Sequence, residues 1–140
     1  MLHARWLSVG FFGLLLVCGA AQADQLKFTA NLAPGPGITS SGKGAATASL
    51  DTATKTLTWS VEYSGLSGPA TAAHIHGPAD PGADAGVVVP FTGNLASPIK
   101  GSATLTDTQI AQLEAGKWYV NIHTAANKGG EIRGQLVHAS

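Results

Sequence analysis

The chain has 140 residues, with eight basic side chains against eight acidic ones and a formal net charge of zero. No basic patch or charge run breaks that balance, which argues against nucleic acid as a partner. One cysteine, Cys18, and one methionine, Met1, are the whole sulfur inventory, and both lie near the start.

Arg5 precedes an apolar run over residues 6–17 that contains Phe11, Phe12, Leu14, Leu15 and Leu16, and Ala21-Gln22-Ala23 supplies a small-x-small cleavage pattern. The expected segments are a signal peptide over 1–23 and a single domain over 24–140, placed in the periplasm or secreted, with no membrane attachment after cleavage. A membrane anchor is the competing reading, but the run is shorter than the ~20 residues a spanning helix needs. A lipoprotein site at Cys18 is a third reading, weakened because Val17 stands where a small residue belongs. Cleavage removes Arg5, Met1 and Cys18. The 117 residues left carry seven basic and eight acidic groups and no sulfur. Thiolate and thioether ligation is then excluded, so any metal must be held by nitrogen and oxygen.

Period-two runs follow in order. Leu26, Phe28, Ala30 and Leu32 alternate with polar residues, a small-residue segment spans 43–50, and Leu57, Trp59, Val61 and Tyr63 alternate again after a turn at 51–55. Further strands are expected near 72–78, 85–89, 101–105, 117–124 and 131–137, with Gly and Pro clusters between them. About eight short strands predict an all-β fold, an antiparallel Greek-key β-sandwich. One short helix interrupts near 107–115, announced by the capping box Thr106-Asp107-Thr108-Gln109 and closed by Gly116.

Two strands carry the chemistry. Ala72-Ala73-His74-Ile75-His76 puts His74 and His76 on one face if Ile75 points inward, and Trp118-Tyr119-Val120-Asn121-Ile122-His123 puts Tyr119, Asn121 and His123 on the outward face. Should these strands be neighbours, three imidazoles converge, and imidazole suits Cu or Zn. The expected metal ligands are His74, His76 and His123, holding copper or, second, zinc at the sheet surface. Asn121, Glu131 and Arg133 form the surrounding shell, since Ile132, Gly134 and Leu136 point inward and turn Glu131, Arg133 and Gln135 outward. The plain alternative is a solvated face with a Glu131–Arg133 ion pair of small energetic weight. His138 is expected to fray at the terminus, and Asp80 and Asp84 read as turn formers. No nucleophile-elbow or phosphate-loop pattern occurs.

The motifs Leu66-Ser67-Gly68-Pro69, His74-Ile75-His76-Gly77-Pro78-Ala79, Gly86-Val87-Val88-Val89-Pro90, Gly101-Ser102-Ala103, Gly116-Lys117-Trp118-Tyr119-Val120-Asn121-Ile122-His123-Thr124 and Gly129-Gly130-Glu131-Ile132-Arg133-Gly134-Gln135-Leu136 follow one another in the order of the CHRD domain, which the chain resembles from about Leu26 to Val137. The resemblance implies a β-sandwich and says little about activity. A weaker likeness is to Cu/Zn superoxide dismutase, where a His-x-His strand and a later histidine bind copper. That enzyme's bridging histidine, zinc-binding set and disulfide cysteines have no counterparts here, so the likeness implies a copper-like three-histidine site and not an active dismutase. The expected function is therefore an exported metal-binding module whose partner is a metal ion. The alternatives are a copper-dependent oxidoreductase, or a metal-free adhesive domain with a protein partner.

Overall fold

The computed structural model describes residues 13–15 and 24–140. The cleavage motif at 21–23 and most of the apolar leader lie outside the described residues. From Gln25 onward the chain forms nine strands and one helix: β1 (Gln25–Pro34), β2 (Lys43–Asp51), β3 (Thr56–Ser64), β4 (Ala70–His76), β5 (Val87–Pro90), β6 (Ile99–Thr104), α1 (Asp107–Glu114), β7 (Tyr119–Thr124), β8 (Ile132–Gln135) and β9 (Val137–His138). All pairings are antiparallel, and the strand order is β5-β4-β7-β8-β1-β2-β3-β6, with β9 also on β1. The all-β class expected from the alternation is the class found. Among the described residues no helix is long and apolar enough to cross a membrane.

The register explains the odd composition of β2. Phe28 on β1 opposes Ala48, Ala48 opposes Trp59, and Trp59 opposes Gly101 on β6. One inward row thus alternates large and small, and the small residues leave room for the two rings. A side chain at Gly101 would stand 2.6 Å from the Trp59 ring. Trp59 in turn stacks on Phe91 with centroids 4.9 Å apart. Leu50, Leu57, Val61, Ile75, Ile99, Leu113, Trp118, Val120, Ile122, Ile132 and Leu136 complete a core from which water is almost fully excluded. Each such large side chain contributes roughly 1.5–3 kcal/mol of transfer free energy.

The helix begins as its capping box dictates. The Thr106 hydroxyl accepts from Gln109 N–H and the Gln109 side chain accepts from Thr106 N–H. It ends at Glu114, followed by Gly116 at φ +72°, the left-handed geometry that glycine adopts without steric cost. Leu113 anchors it in the core and Gln112 accepts from the Trp118 indole, so the helix braces the entry to β7.

Two expectations change at the C-terminus. The strand foreseen over 131–137 is split into β8 and β9, yet both run along β1 in one register, from Pro34↔Ile132 to Phe28↔His138. The break falls at Leu136, whose N–H turns to Trp118 O, two residues after Gly134, which lies so close to β1 that a Cβ would sit 2.0 Å from the Asn31 carbonyl oxygen. His138 does not fray: it is paired with β1 and its ring lies 4.6 Å from that of Phe28.

Candidate metal centre

β4 and β7 are direct neighbours, so the two histidine-bearing segments meet. In the cross-strand rows His76 opposes Tyr119 and Tyr119 opposes Gln135; His74 opposes Asn121 and Asn121 opposes Arg133; Ala72 opposes His123. Opposed residues share a face, and the three imidazoles therefore stand together. One nitrogen from each of His74, His76 and His123 lies within 4.8 Å of the others.

This face is not the solvated surface that alternation suggested. His76 and His123 are each 9% exposed, Asn121 5%, Tyr119 2% and Glu131 0%. Every residue of β7 is buried, because the inner face meets the core and the outer face is roofed by the loops over 77–86 and 125–131. The surface site is corrected to a site beneath two loops, with His74 its most open member.

Each roofing loop orients one imidazole. His76 Nδ1 is 2.9 Å from Ala85 O, and His123 Nδ1 is 2.8 Å from Lys128 O. A carbonyl can only accept, so both rings donate from Nδ1, and the neutral form of each then has its lone pair on Nε2. A metal-ligating histidine needs this arrangement, with the second nitrogen donating outward to fix tautomer and orientation. His123 Nε2 lies 3.1 Å from His74 Nδ1. Two nitrogens bound to one ion at ~2.0 Å stand roughly 2.8–3.3 Å apart for bond angles between square and tetrahedral. His76 Nε2 is buried without a hydrogen-bond partner among the described residues. Burial, followed by the repulsion of charge on His123 and His76, holds the His74 imidazole below its usual pKa, in the neutral form that ligates.

The two charged residues nearby act at one remove. Arg133 donates to Asp84 Oδ1 (2.7 Å) and to Ala83 O (2.6 Å), and its guanidinium lies 3.7 Å over the Tyr119 ring. Tyr119 stacks with its other face on His76, centroids 5.0 Å apart and planes within 10°. Its hydroxyl accepts from Ala85 N–H at 3.0 Å and meets Ala85 O at 3.3 Å. Arg133 and Tyr119 thus pin the loop whose carbonyl orients His76. The pairing of Glu131 with Arg133 is not found.

Glu131 sits instead at the hub of the opposite loop. Its Oε1 accepts from Thr124 Oγ1 (2.8 Å), Asn127 Nδ2 (3.0 Å) and Ser67 Oγ, and its Oε2 from Ser40 Oγ (2.8 Å) and Ser67 N–H (2.9 Å). Burial works to raise its pKa, but the donors of Ser67, Thr124 and Ser40 outweigh it and lower the carboxyl to about 2. Glu131 is fully buried, not outward, because three loops close over the end of β7. By holding Asn127 it fixes the segment that offers the Lys128 carbonyl to His123. Asn121 donates to Gly129 O (3.2 Å) in the same segment, and a Cβ on Gly130 would meet its side chain at 2.1 Å.

The three histidines expected to share a face are brought together, and sequence reasoning missed Tyr119, Ser40, Ser67 and the carbonyls of Ala85 and Lys128. Tyr119 had a usable signal, since it shares the face of Asn121 and His123. The carbonyls carry none, because any residue type supplies one. Asp84 pairs with Arg133 and Asp80 with Lys117, so neither joins the histidines.

An antiparallel β-domain with three imidazoles gathered under two glycine-rich loops is the class of protein that emerges. The CHRD domain model matches residues 28–136, and the chain belongs to the CHRD domain family. No curated protein and no solved structure matches it.

Proposed function

We propose that this CHRD domain is an exported metal-binding module that holds one copper ion, with zinc the second choice, through His74 Nδ1, His76 Nε2 and His123 Nε2. The observation that carries the reading is the buried, unpartnered Nε2 of His76, whose ring is fixed by a hydrogen bond from its other nitrogen. An unmet buried acceptor costs about 1–3 kcal/mol, and a bound ion would meet it. The donor set is all nitrogen and neutral, which suits copper and zinc over magnesium or calcium. Export rests on the leader pattern of residues 1–23.

Three protein ligands leave a fourth position, and His74 is the most exposed of the three. That opening favours ligand exchange, and so supports a copper-dependent oxidoreductase as the second reading. Titrating Cu²⁺ and Zn²⁺ into the wild-type protein and His76→Ala tests the site. One equivalent should bind the wild type, with affinity falling roughly 100-fold or more in the variant. Equal, weak binding by both overturns it. A superoxide-consumption assay on the copper-loaded protein separates a binding module from the oxidoreductase.

A further inference from the structure

The eight-strand path does not close. β5 and β6 are its two ends, and they line opposite sides of one cleft of about 210 Å³ without pairing. Leu105 N–H donates to Lys55 O on the β3 side of β6. Backbone groups alternate sides along a strand, so those of Lys100, Ser102 and Thr104 turn away from β3 toward the cleft. On β5, Phe91 N–H donates to Ala73 O, which turns the Pro90 carbonyl the same way, while the bulge opposite Ile75 and His76 interrupts the alternation at Val88. The cleft is therefore bordered by main-chain donors and acceptors of β6 on one side and by the Pro90 carbonyl on the other.

Its floor holds a second unmet group. Trp59 is 6% exposed, and its indole Nε1 has no acceptor among the described residues. A Cβ added at Gly101 would lie 3.1 Å from that nitrogen, so the missing side chain at Gly101 is what brings the indole edge near the cleft. Among the described residues, Lys100 is the one charged residue lining the cleft, and no acidic group lines it.

We propose that this cleft receives an extended segment of a partner protein, added as a strand along β6 and bearing an acidic side chain opposite Lys100. The complement of an unpaired strand edge is another backbone, and strand addition is how such edges recognise peptides. The site is separate from the histidine cluster and does not depend on the metal-binding reading.

The test uses an acetylated, amidated pentapeptide alternating valine and glutamate, with a copy N-methylated at alternate positions as control. Binding is followed on the full domain by amide and indole N–H resonances, that of Trp59 being assigned with Trp59→Phe. With the plain peptide, the amides of Lys100, Ser102 and Thr104 and the Trp59 indole should shift and exchange more slowly. The N-methylated copy should bind at least tenfold more weakly. Ser102→Pro removes an N–H that faces the cleft and not β3, so the variant should keep its melting temperature and lose the peptide. Lys100→Glu should reverse the preference toward a valine–lysine peptide. If Ser102→Pro fails to fold, the N-methylated comparison on wild type decides. Unchanged resonances at millimolar peptide, or equal binding of both peptides, overturns the proposal. So does self-association of the free protein through these same amides, which would seat a second copy in the cleft.

Discussion

β1, β2, β3 and β6 bury one face and leave the other to water: Lys27, Thr29, Thr47, Thr58, Glu62, Lys100 and Ser102 all stand exposed. β7 has the same alternation of apolar and polar residues, yet both its faces are buried. The difference comes from the loops. Among the described residues nothing crosses the outer face of these four strands, whereas the segments over 77–86 and 125–131 fold back over β4 and β7 and supply carbonyls to the histidines. An alternating strand thus tells which residues share a face. It does not tell whether that face is wet. On the wet face polar groups are nearly interchangeable; on the roofed face each must be paired.

The contrast is sharpest at two glutamates. Glu131→Gln should cost roughly 2–4 kcal/mol, because the charge-assisted bonds are lost and the new NH2, which cannot accept, leaves either Ser67 N–H or Asn127 Nδ2 without its acceptor. Glu62→Gln, on the open face, should stay within about 0.5 kcal/mol. Urea denaturation of both variants checks this, and similar losses would mean that the roof is not closed. The same carboxyl sets an acid response. Its folded pKa is lowered to about 2 from an ordinary 4.5, so its contribution is present above about pH 4.5 and fades as pH falls toward about 2. In Glu131→Gln that part of the acid sensitivity should vanish.

Glycines give a second test, at smaller amplitude. Gly134→Ala drives a Cβ into the Asn31 carbonyl, a backbone atom that cannot swing aside, and should lose about 1–3 kcal/mol. Gly129→Ala meets nothing within 4 Å and should be near neutral by thermal melting. Arg133→Gln should lower copper affinity by about tenfold through the Ala83–Ala85 segment while disturbing stability less than Glu131→Gln does. An unchanged affinity would show that the loop carbonyl is positioned without the guanidinium. The smallest effect belongs to Thr58→Val on the open sheet, expected within about 0.5 kcal/mol by urea denaturation.

Much of this was legible in the residues. The inward rows of β1 and β3 follow from Leu26, Phe28, Ala30 and Leu32 and from Leu57, Trp59 and Val61. The helix start follows from Thr106 and Gln109, its end from Gly116. The shared face of His74, His76 and His123 follows from a period of two once two strands are neighbours. The burial of Glu131 was not legible, because its donors Ser40, Ser67, Thr124 and Asn127 come from four places along the chain and only Thr124 and Asn127 are close in sequence. The split between β8 and β9 was not legible either, since at the break Leu136 N–H turns to the backbone carbonyl of Trp118, which no side-chain pattern records.

The sequence by itself determined the all-β class, the core-facing rows and which polar residues travel together, because side-chain direction along a strand is a local consequence of backbone geometry. Only the tertiary structure decided that β4 lies beside β7, that two loops roof the histidines, and that β5 and β6 stay apart. Strand order and loop placement are set by the summed packing of residues distant along the chain. Phe28 against Ala48 and Trp59 against Gly101 are examples, and neither is encoded within any one segment.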